Sequence, residues 1–203
     1  TLNSELELTT MRYFDVIRKL KGFFFLFRWQ IFVPDNFLNF LAHIAKLSRW
    51  IAKHKNIGYS DFYSFRFDYN RRYELFSFVI EKEGLNQNID YLEFGVADGK
   101  SIKWWANKIT DTNSGFFGFD TFTGLPENWG PYKAGDMAGK NKIPELNDSR
   151  CKFYQGLFQQ TLFKFLSAYK PVKRKVIHLD ADLYSSTLFV LTSLVPYINK
   201  GDI

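Results

Sequence analysis

Cysteine is almost missing from this 203-residue chain. Cys151 stands alone, which excludes an internal disulfide framework and any metal site built from several thiolates. A lone thiol suits a reducing, cytoplasmic setting. Long apolar runs are missing too. No stretch reaches the roughly 18 consecutive apolar residues of a membrane-spanning helix. "GFFFLFRWQIFV" (22–33) comes nearest, and Arg28 and Gln30 interrupt it. There is no signal-peptide cleavage pattern, internal repeat or low-complexity tract. Zinc-finger spacing, dense basic runs and the aromatic signature of RNA-binding sheets are all absent, so nucleic acid is not an expected partner.

Aromatic residues are what the chain has in plenty: 19%, with 23 Phe. Together with 46% hydrophobic and 24% charged residues, this is the composition of a globular protein with a ring-rich core or an aromatic binding face. The net charge of +6 and pI of about 9.2 describe either a Lys-rich surface or one that meets an anionic partner.

Residues 1–56 carry apolar positions at helical spacing: Met11, Phe14, Ile17 and Leu20, then Phe37, Phe40, Leu41 and Ile44. Pro34 breaks the pattern, and Asp35 is the expected N-cap of a second helix. The basic, aromatic piece "RKLKGFFFLFRWQ" suits a helix packed on the domain or on a partner subunit, which would make a homo-oligomer. Its alternative is peripheral contact with a membrane surface. Residues 57–70 read as a connector or lid, and 71–84 as a helix closed by Gly84.

From residue 89 short apolar runs alternate with helical segments. Strands are predicted at "IDYLEFG", "GFFGFD" (115–120), "CKFYQG" (151–156) and "KVIHLD" (175–180). Helices are predicted at "SIKWWANKIT", 159–169 and 185–199. This alternation predicts an α/β fold, a Rossmann-like doubly wound parallel sheet behind N-terminal helices. The division is 1–70 for the helical extension and connector, and 71–203 for the sheet domain. In such sheets ligands bind where the strands' C-terminal ends gather. Glu93, Gly95, Asp120, Gly156 and Asp180 all fall there.

"DYLEFGVADGKS" (90–101) ends a buried strand in Glu93, Gly95 and Gly99. It lacks the G-x-G-x-x-G spacing of a dinucleotide loop. Glycine lets the backbone approach a ligand closely, and a carboxylate beside it repels phosphate and favours a cation. A plain structural turn remains open for this stretch alone. Asp120 suits the two hydroxyls of a ribose, or a turn.

"YLEFGVADGKS", "GFFGFDTFTGLPENW" and "VIHLDADLYSST" together resemble the TylF-type (macrocin O-methyltransferase) family of class I S-adenosylmethionine-dependent methyltransferases. The resemblance covers residues 71–203. It implies that Glu93, Gly95, Gly99 and Ser101 hold the amino acid end of S-adenosylmethionine, and that Asp120 binds the ribose. It also implies that Thr121 and Phe122 flank the nucleoside, with Gly156 and Phe158 near the adenine. The implied reaction is Mg²⁺-assisted O-methylation of a sugar or other small hydroxylated acceptor. Asp180 is the implied metal ligand and catalytic carboxylate, with Asp182 as the alternative; Asp182 reads equally as a partner of the following helix dipole. His178 reads as a sheet-face histidine or a catalytic base.

The family's later Asp pair does not occur. The chain starts at Thr1 and stops at "KGDI" as a strand begins, so a piece of a longer protein is expected, with an incomplete metal site and weak activity on its own. The remaining alternative is a degenerate S-adenosylmethionine-binding or assembly module. The loop 124–150 is long enough to cover an acceptor, with Trp129 and Tyr132 as expected contacts.

Overall fold

In a computed structural model the protein is described over residues 2–28, 31, 34–54, 57–60, 66, 68–140 and 142–203, with side chains from Tyr13 onward. It divides into two units, Thr1–Ser64 and Phe65–Ile203. The first holds helices α1 (Leu2–Leu26) and α2 (Asp35–Lys53). Asp35 is the first helical residue of α2 and makes no capping bond; Pro34 occupies the cap. The Asp35 carboxylate still lies in the first turn, where the helix dipole favours it. Much of the predicted connector, 61–65 and 67, lies outside the described residues.

The second unit alternates as the apolar runs require: α3 (Arg71–Glu83), β1 (Ile89–Phe94), α4 (Lys100–Lys108), β2 (Gly115–Asp120), β3 (Cys151–Gln155), α5 (Phe158–Ala168), β4 (Arg174–Leu179) and α6 (Tyr184–Leu194). Gly84 ends α3 in a left-handed conformation. The last helix is shorter than the predicted 185–199. It passes at Leu194 into a 3₁₀ turn, Val195–Tyr197, because Pro196 lacks the N–H that continued α-helix needs.

The four strands form one parallel sheet in the order β3-β2-β1-β4. The chain steps outward from β1 through β2 to β3, then returns to place β4 on the other side of β1. The reversal lies between β1 and β4, and a crevice opens at the strands' C-terminal ends at such a point. Glu93 is in register with Gly118 on one side and His178 on the other.

Alternation along the strands feeds two cores. Tyr91, Phe116 and Val176 pack with Ile80 of α3 and Ile102 and Trp105 of α4. Leu92, Phe94 and Phe119 face the other way, onto Leu162 and Phe165 of α5 and Val190 and Leu194 of α6. The abundant aromatics serve this packing. Phe94, Phe119 and Tyr154 stack across three strands at 4.7 and 4.8 Å, nearly parallel. Arg150 fastens the end of α4 by donating to the carbonyls of Ala106, Ile109 and Asp111 while bonded to Asp148.

Among the described residues one ion pair has both side chains buried. Lys175 Nζ lies 3.0 Å from Asp202 Oδ2, with both side chains 3% exposed or less. Burial alone would raise the Asp202 carboxyl. Hydrogen bonds from the backbone N–H of Asn199 and Lys175, and the ammonium itself, hold it below the usual range. Asp202→Ala leaves the ammonium stranded and should cost about 3–5 kcal/mol in urea denaturation, while Lys175→Met with Asp202→Leu should recover most of it. A single mutant as stable as wild type would refute the pair's role.

Candidate functional site

A cavity of about 790 Å³ opens at the C-terminal edge of the sheet. That lies in the upper part of the range usual for small-ligand sites. Its wall is acidic. Glu93, Asp98, Asp120, Glu127, Asp180 and Asp182 line it, against the cations Arg72 and Lys100. The protein as a whole carries +6, so the cavity opposes the sign of the molecule around it.

The β1 turn is built by contact. Gly95 has φ +94, and a Cβ there would lie 2.4 Å from the Asp180 carbonyl oxygen. The two loops therefore touch backbone to backbone, and only glycine fits. The Asp180 N–H donates to the Phe94 carbonyl at 2.9 Å, fixing β4's exit beside β1's. Gly99 opens α4 at φ +73, with Pro144 filling the space a side chain would need.

Asp120 holds the turn from the next strand. Its Oδ2 accepts the N–H of Val96 at 2.7 Å and of Ala97 at 2.8 Å, and its Oδ1 accepts the N–H of Phe122 at 2.7 Å. Ala97 and Phe122 have φ 47 and 56, a region non-glycine residues seldom occupy. The carboxylate keeps both there. With about four acceptor sites in all, it retains little capacity for the two ribose hydroxyls expected of it.

Glu93 is 2% exposed at the base of the cavity. The Tyr91 hydroxyl donates to its Oε2 at 2.8 Å, and the same hydroxyl oxygen lies 2.7 Å from His178 Nδ1, which donates to it in the Nδ1–H tautomer. Burial raises the Glu93 carboxyl to about 8, with Asp180 and Asp120 adding to it and the Tyr91 bond and Arg72 opposing. Burial also holds the His178 imidazole below its ordinary value. Asp182 is raised by burial and by Asp180 beside it.

The other expected site residues fall as follows. Thr121, Gly156, Phe158, Asp180, Asp182 and Ser101 line the cavity with Glu93, Gly95 and Asp120. Ser101 is buried and its Oγ accepts from Arg72 at 3.2 Å. Gly99 stands behind the wall at the start of α4. Phe122 is not on the wall: its ring is buried in the core against Phe153, because the left-handed turn swings it inward. His178 is not there either. It contacts Tyr91 and Phe76 of α3. Trp129 and Tyr132 stack on each other in an exposed turn, while Gly124, Leu125, Pro126, Glu127 and Met137 of the same loop reach the cavity.

Asp180 and Asp182 supply two carboxylates, and Arg72 leans on Asp180 at 3.6 Å. Among the described residues no group of three His, Cys, Asp or Glu is arranged to hold a metal ion. These residues alone do not make a Mg²⁺ site. Arg72 and Tyr91 are the participants that the motifs did not give. Tyr91 was detectable as the residue two before Glu93, on the same strand face; nothing around Arg72 marked it.

No family model matches the chain, and no curated protein matches it in sequence. Solved structures do. One is the crystal structure of CalS11, a calicheamicin methyltransferase, with 23% identity and a TM-score of 0.52, covering 66% of this chain and 63% of that one. Another is the apo structure of CalS11, described as a TDP-rhamnose 3′-O-methyltransferase, at 24% identity and a TM-score of 0.46, covering 66% and 62%. The chain thus spans a little over three fifths of the length of these proteins. The Rossmann-like α/β fold is shared with CalS11.

Glu93 takes up a proton on folding between about pH 4.5 and 8, so the native state is favoured at the acid end of that window. Stability of the ligand-free protein should fall by an amount on the order of a few kcal/mol as pH rises through it. His178, lowered, gives the opposite slope below its ordinary value of 6.5. Comparing denaturation of wild type and Glu93→Gln across pH isolates the Glu93 contribution. Identical slopes would rule it out.

Proposed function

We propose that the protein binds S-adenosylmethionine in this cavity and methylates a hydroxyl of a small acceptor. The observation that carries the reading is the acidic wall around a buried carboxylate at the β1–β4 reversal. A phosphate-bearing cofactor would be repelled there, whereas a ligand carrying a sulfonium and an ammonium is attracted. The likeness in fold to CalS11 supports the same reading, as does the resemblance of three motifs to the TylF type.

In this reading Glu93 accepts the ligand's ammonium and loses its proton as it does so. The Gly95 turn, packed backbone to backbone on Asp180, borders the amino acid end. Asp120 acts chiefly as the tie that holds the β1 turn, with a single remaining acceptor site for a ribose hydroxyl. Gly156 and Phe158 border the nucleoside. The bound cofactor supplies an electrophilic methyl group. Asp182, raised by burial and by Asp180, is suited to take the acceptor's proton. A sugar acceptor is the finer proposal, in keeping with the resemblance of the three motifs to the macrocin O-methyltransferase type. Mg²⁺ assistance would require ligands besides Asp180 and Asp182, so no step is assigned to it. A cytoplasmic location accords with the single cysteine.

Calorimetry with S-adenosylhomocysteine tests the reading. Wild type should bind. Asp120→Ala should lose binding, and Glu93→Gln should bind roughly tenfold to a hundredfold more weakly, the worth of a charge-assisted hydrogen bond. Heats measured at neutral pH in buffers of different ionisation enthalpy should show proton release in wild type and none in Glu93→Gln. Absence of binding by wild type would overturn the proposal.

A further inference from the structure

Helices α1 and α2 of the first unit carry many exposed apolar side chains. Along α2, Phe37, Phe40, Leu41, Ile44 and Leu47 recur at i, i+3, i+4, i+7 and i+10, which is one face of a helix. Each is between 46% and 58% exposed, and no residue of α2 is buried. Lys46, Arg49 and Lys53 lie on the opposite face. In α1, Val16, Leu20, Phe23 and Phe24 share a side and are all exposed, with Arg18 across from them beside the exposed Phe14 and Phe25, and Lys19 at the flank. From the start of α1 to the end of α2 there are eight Lys or Arg against four acids, Glu5, Glu7, Asp15 and Asp35.

We propose that α1 and α2 dock on the surface of an anionic lipid bilayer, with their apolar faces in the interface. Two features select this occupant. Aromatic and aliphatic side chains on one face, with cations around the other, are what an interfacial helix presents to lipid. The excess of positive charge then decides against a second copy, which would bring the same excess together, and for a surface of opposite sign. Among the described residues no helix is long and apolar enough to cross a membrane, so the helices lie on the bilayer and do not span it. The proposal does not depend on what the cavity binds.

Co-sedimentation of the whole protein with phosphatidylcholine vesicles, with and without phosphatidylserine, tests it. Binding should require phosphatidylserine and weaken with added salt. Lys46→Gln and Arg49→Gln should each weaken it about fivefold, the effect of one charge near the surface. Ile44→Asp should abolish it without loss of helical circular dichroism, since the position is exposed. Equal binding to both kinds of vesicle, or none to either, overturns the proposal. So does a dimer in ultracentrifugation that Ile44→Asp breaks while vesicles are ignored, because the face would then belong to a second copy.

Discussion

Three backbone N–H groups converge on the Asp120 carboxylate, two from the turn after β1 and one from the turn after β2. Much of the cavity's shape follows from that convergence. Hydrogen bonds to a charged acceptor are stronger than neutral ones, and these hold Ala97 and Phe122 in left-handed backbone that their side chains disfavour. The Phe122 ring is turned into the core as a result, and the β1 turn is left bare beside Asp180. A residue expected to meet the ligand thus works first on the protein's own backbone.

The electrostatics have a second centre. Glu93 is buried with no cation in direct contact among the described residues; its hydrogen-bond partner is the neutral Tyr91, and Arg72 acts on it from a distance. Arg72 is instead engaged by Ser101 and Asp180 and stacks over Tyr69. Buried charge that lacks a counter-ion is costly, so an empty cavity favours protonated Glu93. A cationic ligand reverses that preference, and the cavity's acidity is a means of recognition as well as a strain on the folded state.

Much of the fold was legible because the apolar runs are short, strand-like and separated by amphipathic segments. All four strands and the edge where Glu93, Asp120 and Asp180 meet followed from periodicity and from the rule that parallel strands end together. The inward turn of Phe122 was not legible, because it depends on a hydrogen bond to the residue two before it. Sequence left His178 open between a sheet-face histidine and a catalytic base, and its bond to Tyr91 and place beside Phe76 depend on α3, which no motif marked. Arg72 enters the cavity from α3, whose sequence carries no motif. The early stop of α6 was written in Pro196.

Trp105 is buried, and its indole N–H has no hydrogen-bond partner among the described residues. Its ring stacks on Tyr91 at 4.9 Å, and the Tyr91 hydroxyl ends on Glu93. An indole in such dry surroundings emits toward the blue, and a charge appearing two groups away alters its excited state. The ionisation of Glu93 therefore has an optical readout within the fold. Fluorescence of Trp105, isolated by replacing the other four tryptophans, would report on the carboxylate without a label and without turnover.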